Sequence, residues 1–193
     1  MILPIVAYGD PVLKKKAAEI SNDYPDLEAL IGNMFETMYK ASGVGLAAPQ
    51  IGKAIRLFVV DASPFADKDE PDYDLLKNFK KVFINARITE KSGDLWAFEE
   101  GCLSIPEIRE DVNRCETIQL EYLDEHFNPH SELFSGLAAR VIQHEYDHIE
   151  GVLFIDHLSA FKRQLLRGRL NQISKGLVRT EYRMRFPEMS KKR

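Results

Sequence analysis

Cysteine and histidine are scarce in this chain of 193 residues, which has two of the former and five of the latter. Cys102 and Cys115 form no C-x-x-C pair, so a disulfide framework and a four-cysteine structural zinc site are both excluded. Two unframed cysteines agree with a reducing compartment, and cytoplasm is the expectation. Long apolar runs are also missing: none approaches the roughly 20 residues that span a bilayer. The first ten residues, Met1 to Asp10, lack a basic leader region and a cleavage site, so no signal peptide is expected. Neither a membrane nor a DNA partner is anticipated, and no internal repeat is visible. What remains is 45% hydrophobic residues, enough for a proper core, and one domain over 1–193 is the natural expectation.

His144-Glu145-Tyr146-Asp147-His148 carries the strongest chemical signal. Imidazoles four residues apart on a helix share a face and can reach one cation, and the glutamate beside the first can handle the proton of a polarised water. Ser135 reads as the N-cap of that helix and Gly151 as its stop. Leu137, Val141, His144 and His148 step by four, three and four, so the histidines continue an apolar stripe. The alternative is a pair of satisfied core histidines. A catalytic site needs a third protein ligand. The pattern of elongated HExxH zinc proteases runs as far as Gly151, but Phe154 stands where the next histidine belongs and His157 comes too late. Glu181 and Glu188 lie in a basic tail with no supporting pattern. Upstream, Cys102 in Glu100-Gly101-Cys102-Leu103-Ser104-Ile105-Pro106 is the better candidate, because a thiolate suits a borderline divalent ion. Cys115 reads as a small buried residue.

Three segments together resemble peptide deformylase: Gly43-Val44-Gly45-Leu46-Ala47-Ala48-Pro49-Gln50, Glu100-Gly101-Cys102-Leu103-Ser104, and Gln143-His144-Glu145-Tyr146-Asp147-His148. They occur in the family's order, and the resemblance runs from the N-terminus to about Leu158. It implies Cys102, His144 and His148 as metal ligands and Gln50 and Glu145 as catalytic residues. The implied activity is removal of the formyl group from the N-terminal formyl-methionine of new proteins. The ligand types permit iron(II), zinc, nickel or cobalt, and the resemblance favours iron(II). Formamide hydrolysis needs a strong nucleophile and a stabilised oxyanion. Glu145 would take the proton of the attacking water and pass it to the leaving amine. The Gln50 carboxamide, the Leu103 backbone N–H and the cation would hold the oxyanion. Two other readings are an HExxH metallopeptidase and a basic ribosome- or RNA-binding protein with a structural metal.

The Gly43, Val44 and Gly45 backbone suits an extended peptide laid alongside it, and the resemblance implies N-formylmethionyl peptides as the partner. Leu137 and Val141, with Val44 and Leu103 nearby, should line an apolar slot for an unbranched thioether. Glu100 and Arg109 are further substrate-contact candidates in the same motif region.

The periodicities imply an α+β fold: short antiparallel sheets around a central metal-binding helix, with an N-terminal amphipathic helix and a C-terminal helix. Leu27, Leu30, Ile31, Met34, Phe35 and Met38 mark the first helix, and Phe161–Leu177 the last. Strand candidates are Arg56–Asp61, Lys81–Asn85, Cys115–Leu123 and Val152–Asp156. Residues 63–78, with Pro64, Pro71 and many acids, read as a solvated surface insertion. From about 159 the chain becomes a basic extension. Residues 157–193 hold eleven Lys or Arg against two Glu (+9), and residues 1–156 hold fifteen against twenty-eight acids (−13). Such a tail is either a solvated face or a contact for ribosomal RNA phosphates, and Arg179 to Arg193 reads as irregular and mobile.

Overall fold

The computed structural model describes residues 1–69 and 72–187. A short strand β1 (Ile5–Val6) is followed by helix α1 (Leu27–Lys40), strands β2 (Gly45–Ala47) and β3 (Leu57–Asp61), and a one-turn helix α2 (Tyr73–Leu76). Next come β4 (Lys80–Cys102), β5 (Ile105–Leu123), β6 (Pro129–Ser135), α3 (Gly136–Ile149), α4 (Ala160–Ser174) and β7 (Met184–Arg185). Strands β2 to β6 form one antiparallel sheet in sequence order, and β1 pairs with β7 in parallel. The expected α+β class holds, with four α-helices among the described residues. No helix among them is long and apolar enough to cross a membrane.

Strand β3 shows why the sheet lies between helices. Its five residues are all buried, so it reads as a continuous apolar run rather than an alternation. Phe58 and Val60 pack with Ala138, Ala139, Val141 and Ile142 of α3 on one face. Leu57 and Val59 pack with Leu30, Ile31, Met34 and Met38 of α1 on the other. Each fully buried Leu, Ile or Phe contributes about 1.5–3 kcal/mol, so this double burial anchors the sheet. A third cluster joins Ile105, Ile108 and Val112 of β5 to Phe154 and Ile155 and to Leu170 and Ile173 of α4.

Helix α3 begins immediately after β6, with Ser135 extended at the N-cap but making no side-chain capping bond. It stops at Gly151, where φ is +76° and a Cβ would lie 2.7 Å from the Lys14 carbonyl oxygen, so glycine is required.

Several expectations need correction. The strand candidates Lys81–Asn85 and Cys115–Leu123 are parts of much longer strands, paired from Ile84↔Leu123 to Cys102↔Ile105. Along the middle of β4, from Arg87 to Leu95, every residue but Ile88 is exposed, so main-chain pairing holds this stretch without an apolar pattern, while the facing β5 keeps alternate residues buried. Val152–Asp156 is not a strand. The Asp156 carboxylate accepts from Leu153 N at 2.7 Å, and Phe154–His157 closes into a 3-10 turn. Segment 63–78 is not merely solvated: Leu76 is fully buried, and Phe65 and Ala66 pack on the α3-side core. Pro71 and residues 188–193 lie outside the described residues. The last helix spans Ala160–Ser174, shorter than expected, with Ser159 Oγ accepting from Lys162 N at 3.3 Å. Within the described part of the tail, Met184 and Arg185 pair with Ile5 and Val6 of β1.

Candidate active site

Three chain segments converge at the C-terminal end of β4. Cys102 is its last residue, and His144 and His148 project from α3 one turn apart. Cys102 Sγ lies 3.3 Å from His148 Nε2, and the donor atoms of Cys102, His144 and His148 all fall within 4.8 Å of one another. His148 is 1% exposed. Such a mixed sulfur and nitrogen set suits a borderline divalent ion. Burial pushes the Cys102 thiol up, but the proximity of His148 and hydrogen bonds with both histidines outweigh it and bring it down to about 5. The sulfur is therefore a thiolate at neutral pH, the form in which cysteine binds metal. The residues fit a cation.

Beneath them lies a buried ionic network. Glu100 Oε2 sits 2.9 Å from His144 Nδ1, which turns the other ring nitrogen toward Cys102. Arg114 of β5 holds both oxygens of Glu100, at 2.6 and 2.9 Å, and reaches Asp147 of α3 at 2.7 Å. Arg140 donates to Glu100 at 3.0 Å and stacks on Trp96, 4.2 Å from the ring centroid. Burial alone would raise the Glu100 pKa, but Arg114 and His144 hold its carboxyl well below the usual range. For His144, burial opposes the charged form, yet the hydrogen bonds with Cys102 and Glu100 raise its pKa. Glu100 was expected among the substrate contacts. It lines the cavity in front of the site, and both of its oxygens are also held by protein partners, His144 among them.

Gln50 closes a 3-10 turn over Ala48–Ile51 and is buried. Its Oε1 accepts from Ala47 N at 2.8 Å, which fixes the amide and points Nε2 at Cys102 Sγ and Ser104 Oγ, each 3.4 Å away. Glu145 is also buried, and its Oε2 has no hydrogen-bond partner among the described residues. Burial pushes its carboxyl up to about 7, with the charges of Cys102 and Glu100 acting the same way and the two histidines opposing them. Gly45 is the seat for this side chain: a Cβ there would collide with the Glu145 carboxylate, its carbon only 2.7 Å away. The glycine makes room for the Glu145 side chain and also lines the cavity.

A cavity of about 950 Å³ opens in front of these groups. Gly43, Val44, Gly45, Leu103, Leu137 and Val141 all line it, as expected. Arg109 also lines it, but from an exposed position paired with Glu99 at 3.7 Å. Sequence reasoning missed Arg179, Glu181 and Tyr182, which form part of the wall. A signal was present: Tyr182, Met184 and Phe186 alternate with charged Glu181, Arg183 and Arg185, a half-buried strand pattern.

The family model for polypeptide deformylase matches residues 2–164. The peptide deformylase of Christiangramia forsetii is 60% identical over 196 residues, covering 100% of both chains. That of Flavobacterium psychrophilum is 57% identical, covering 96% of this chain and 97% of its own. Among solved structures, the peptide deformylase of Legionella pneumophila superposes with a TM-score of 0.78 at 38% identity, covering 93% of this chain and 99% of that one. With its three motifs gathered around one thiolate and two imidazoles, the chain belongs to the polypeptide deformylase family.

Proposed function

We propose that this chain is a peptide deformylase, a metal-dependent hydrolase that removes the formyl group from the N-terminal formyl-methionine of newly made polypeptides and releases formate. The observation that carries this reading is the meeting of Cys102, His144 and His148 at the inner end of a cleft that also presents Gln50 and Glu145. We assign the whole of 1–193 to one catalytic domain and its working place to the cytoplasm.

In this reading Cys102, His144 and His148 hold one divalent ion, iron(II) by family resemblance, with zinc, nickel or cobalt compatible with the donor set. When bound, it supplies Lewis acidity that polarises water and the formyl oxygen. Glu145 accepts the proton of the attacking water and returns it to the amine nitrogen as the C–N bond breaks. Its unpartnered Oε2 supports that role, since no protein group competes for the proton. Gln50, with its carbonyl engaged by Ala47, can offer only its N–H donors to the site. Together with the Leu103 N–H it stabilises the oxyanion.

Strand β2 forms the edge of the sheet; the Gly43 N–H and the Val44 carbonyl are already bonded to Met38 O and Asp61 N, and the remaining outward main-chain groups of this segment are where an extended peptide pairs. Leu137 and Val141, helped by Val44, receive the methionine side chain, and Arg109 meets the substrate at the rim. For the ribosome, the partner surface we propose is the side of α4 along which Arg163, Arg167 and Lys175 step. Other cations of that segment are already paired: Lys162 with Glu110 at 2.6 Å and Arg169 with Glu107 at 3.0 Å.

The peptidase alternative lacks its third histidine; Phe154 is buried and stacks on His144 with ring centroids 6.1 Å apart. His157 is engaged by Asp147 at 2.7 Å. A closed structural site would need a fourth donor, and among the described residues only three gather. Incubation of the metal-loaded protein with formyl-Met-Ala-Ser tests the reading. Formate and intact Met-Ala-Ser are expected; cleavage between residues, or no reaction, would refute it.

A further inference from the structure

The family model ends at residue 164, but this chain continues along its cleft. Residues 177–187 run back over the molecule as a strap. Ile5 N donates to Arg183 O at 2.8 Å and Ala7 N to Arg185 O at 2.9 Å. Arg185 also lies 3.6 Å from Asp10. Met184 and Phe186 face inward and pack with core residues.

The strap reaches the hairpin turn that carries Leu103. Cys102 pairs with Ile105, so Leu103 and Ser104 alone make the reversal between β4 and β5. Both of their carbonyls are tied from outside the hairpin. Tyr182 Oη donates to Leu103 O at 2.9 Å, and Tyr8 N donates to Ser104 O at 2.8 Å. The Ser104 hydroxyl meets Gln50 Nε2 at 3.4 Å. A two-residue turn left free would fluctuate, and an oxyanion donor is effective only when held in place before the reaction.

We propose that the C-terminal strap is a working part of the catalytic centre, with Tyr182 as a positioning residue that clamps Leu103 so that its N–H is aimed at the developing oxyanion. The inference rests on the deformylase reading. Its distinguishing expectation is kinetic: a donor that matters only in the transition state moves kcat, not KM.

The test compares the parent with Tyr182→Phe, which keeps the ring and removes only the hydroxyl. With formyl-Met-Ala-Ser, kcat should fall about three- to tenfold, as for loss of one neutral hydrogen bond. KM, bound metal and Tm should stay close to parental values. Hydrogen exchange of the Leu103 and Ser104 amides should accelerate, a readout that needs no turnover. An unchanged kcat, a change confined to KM, or a lowered Tm with normal kcat would overturn the proposal. So would unchanged exchange at the turn. Parental protein that releases no formate would instead refute the deformylase reading, and with it the catalytic consequence of the clamp.

Discussion

Glu145 and Gly45 illustrate how a glycine makes room for a buried carboxylate, the one proposed as the base. The carboxylate is buried, lacks a partner at one oxygen among the described residues and rests against the one residue type that leaves it room. Replacing Glu145 by Gln keeps that shape while removing the base. Metal content by mass spectrometry should remain near parental, and kcat should drop by about 10²–10⁴-fold. Retained turnover would remove Glu145 from the mechanism. A second residue-scale expectation concerns stability. Asp61, at the end of β3, accepts from Tyr39 Oη at 2.6 Å and from Ser63 N and Oγ at 3.0 and 2.6 Å. Burial works to raise its pKa, but these bonds and Lys80 lower it overall. A depressed folded pKa adds stability that is fully present above the unfolded carboxyl value near 3.9 and lost as pH falls through the folded one. Asp61→Asn should therefore cost about 2 kcal/mol at neutral pH, a gap that closes in acid below about pH 4. A gap independent of pH in urea titrations would contradict this.

At the scale of elements, the site depends on a join between the β4–β5 ribbon and α3. Arg114 links Glu100 of β4 to Asp147 of α3, and all three are buried. Arg114→Met would remove the guanidinium that both carboxylates share, leaving Glu100 to Arg140 and His144 and Asp147 to His157. Breaking such a pair costs about 3–5 kcal/mol. Because Glu100 orients His144, metal affinity should also weaken about 10–100-fold. Chemical denaturation and metal competition titrations measure the two effects; a normal affinity would show that the network is only structural. The helices of this arrangement were readable in the sequence, since α1 and α3 have clear apolar stripes. The long ribbon was not. From Arg87 to Glu99 neither face is consistently apolar, because the stretch is held by backbone pairing and its Trp96 stacks on Arg140 of α3 instead of packing into a core.

For the whole molecule, the three motifs were legible because each needs particular residue types: a thiolate, two imidazoles in helical register, and a carboxamide after a tight turn. Their convergence, and the role of Glu100, depended on non-local pairing that no local pattern reports. In the C-terminal tail only the two-residue strand β7 departs from the irregular reading, and its signal, a six-residue alternation, is short and sits among charges. The tail's basic character leads to a prediction about partners. Reversing Arg167 and Lys175 to Glu should abolish co-sedimentation with ribosomes at low salt while leaving turnover on a small formyl-peptide within about twofold. Undiminished binding in that variant, or none in the parent, would contradict the assigned surface. Deleting the tail would be a poorer test, because it also removes β7 from β1.

The most direct measurement is X-ray absorption at the metal edge of protein purified without oxygen. The account predicts one divalent ion per chain with one sulfur and two imidazole nitrogens as its protein donors. A signal without sulfur, a fourth protein donor, or protein that retains no metal would contradict it.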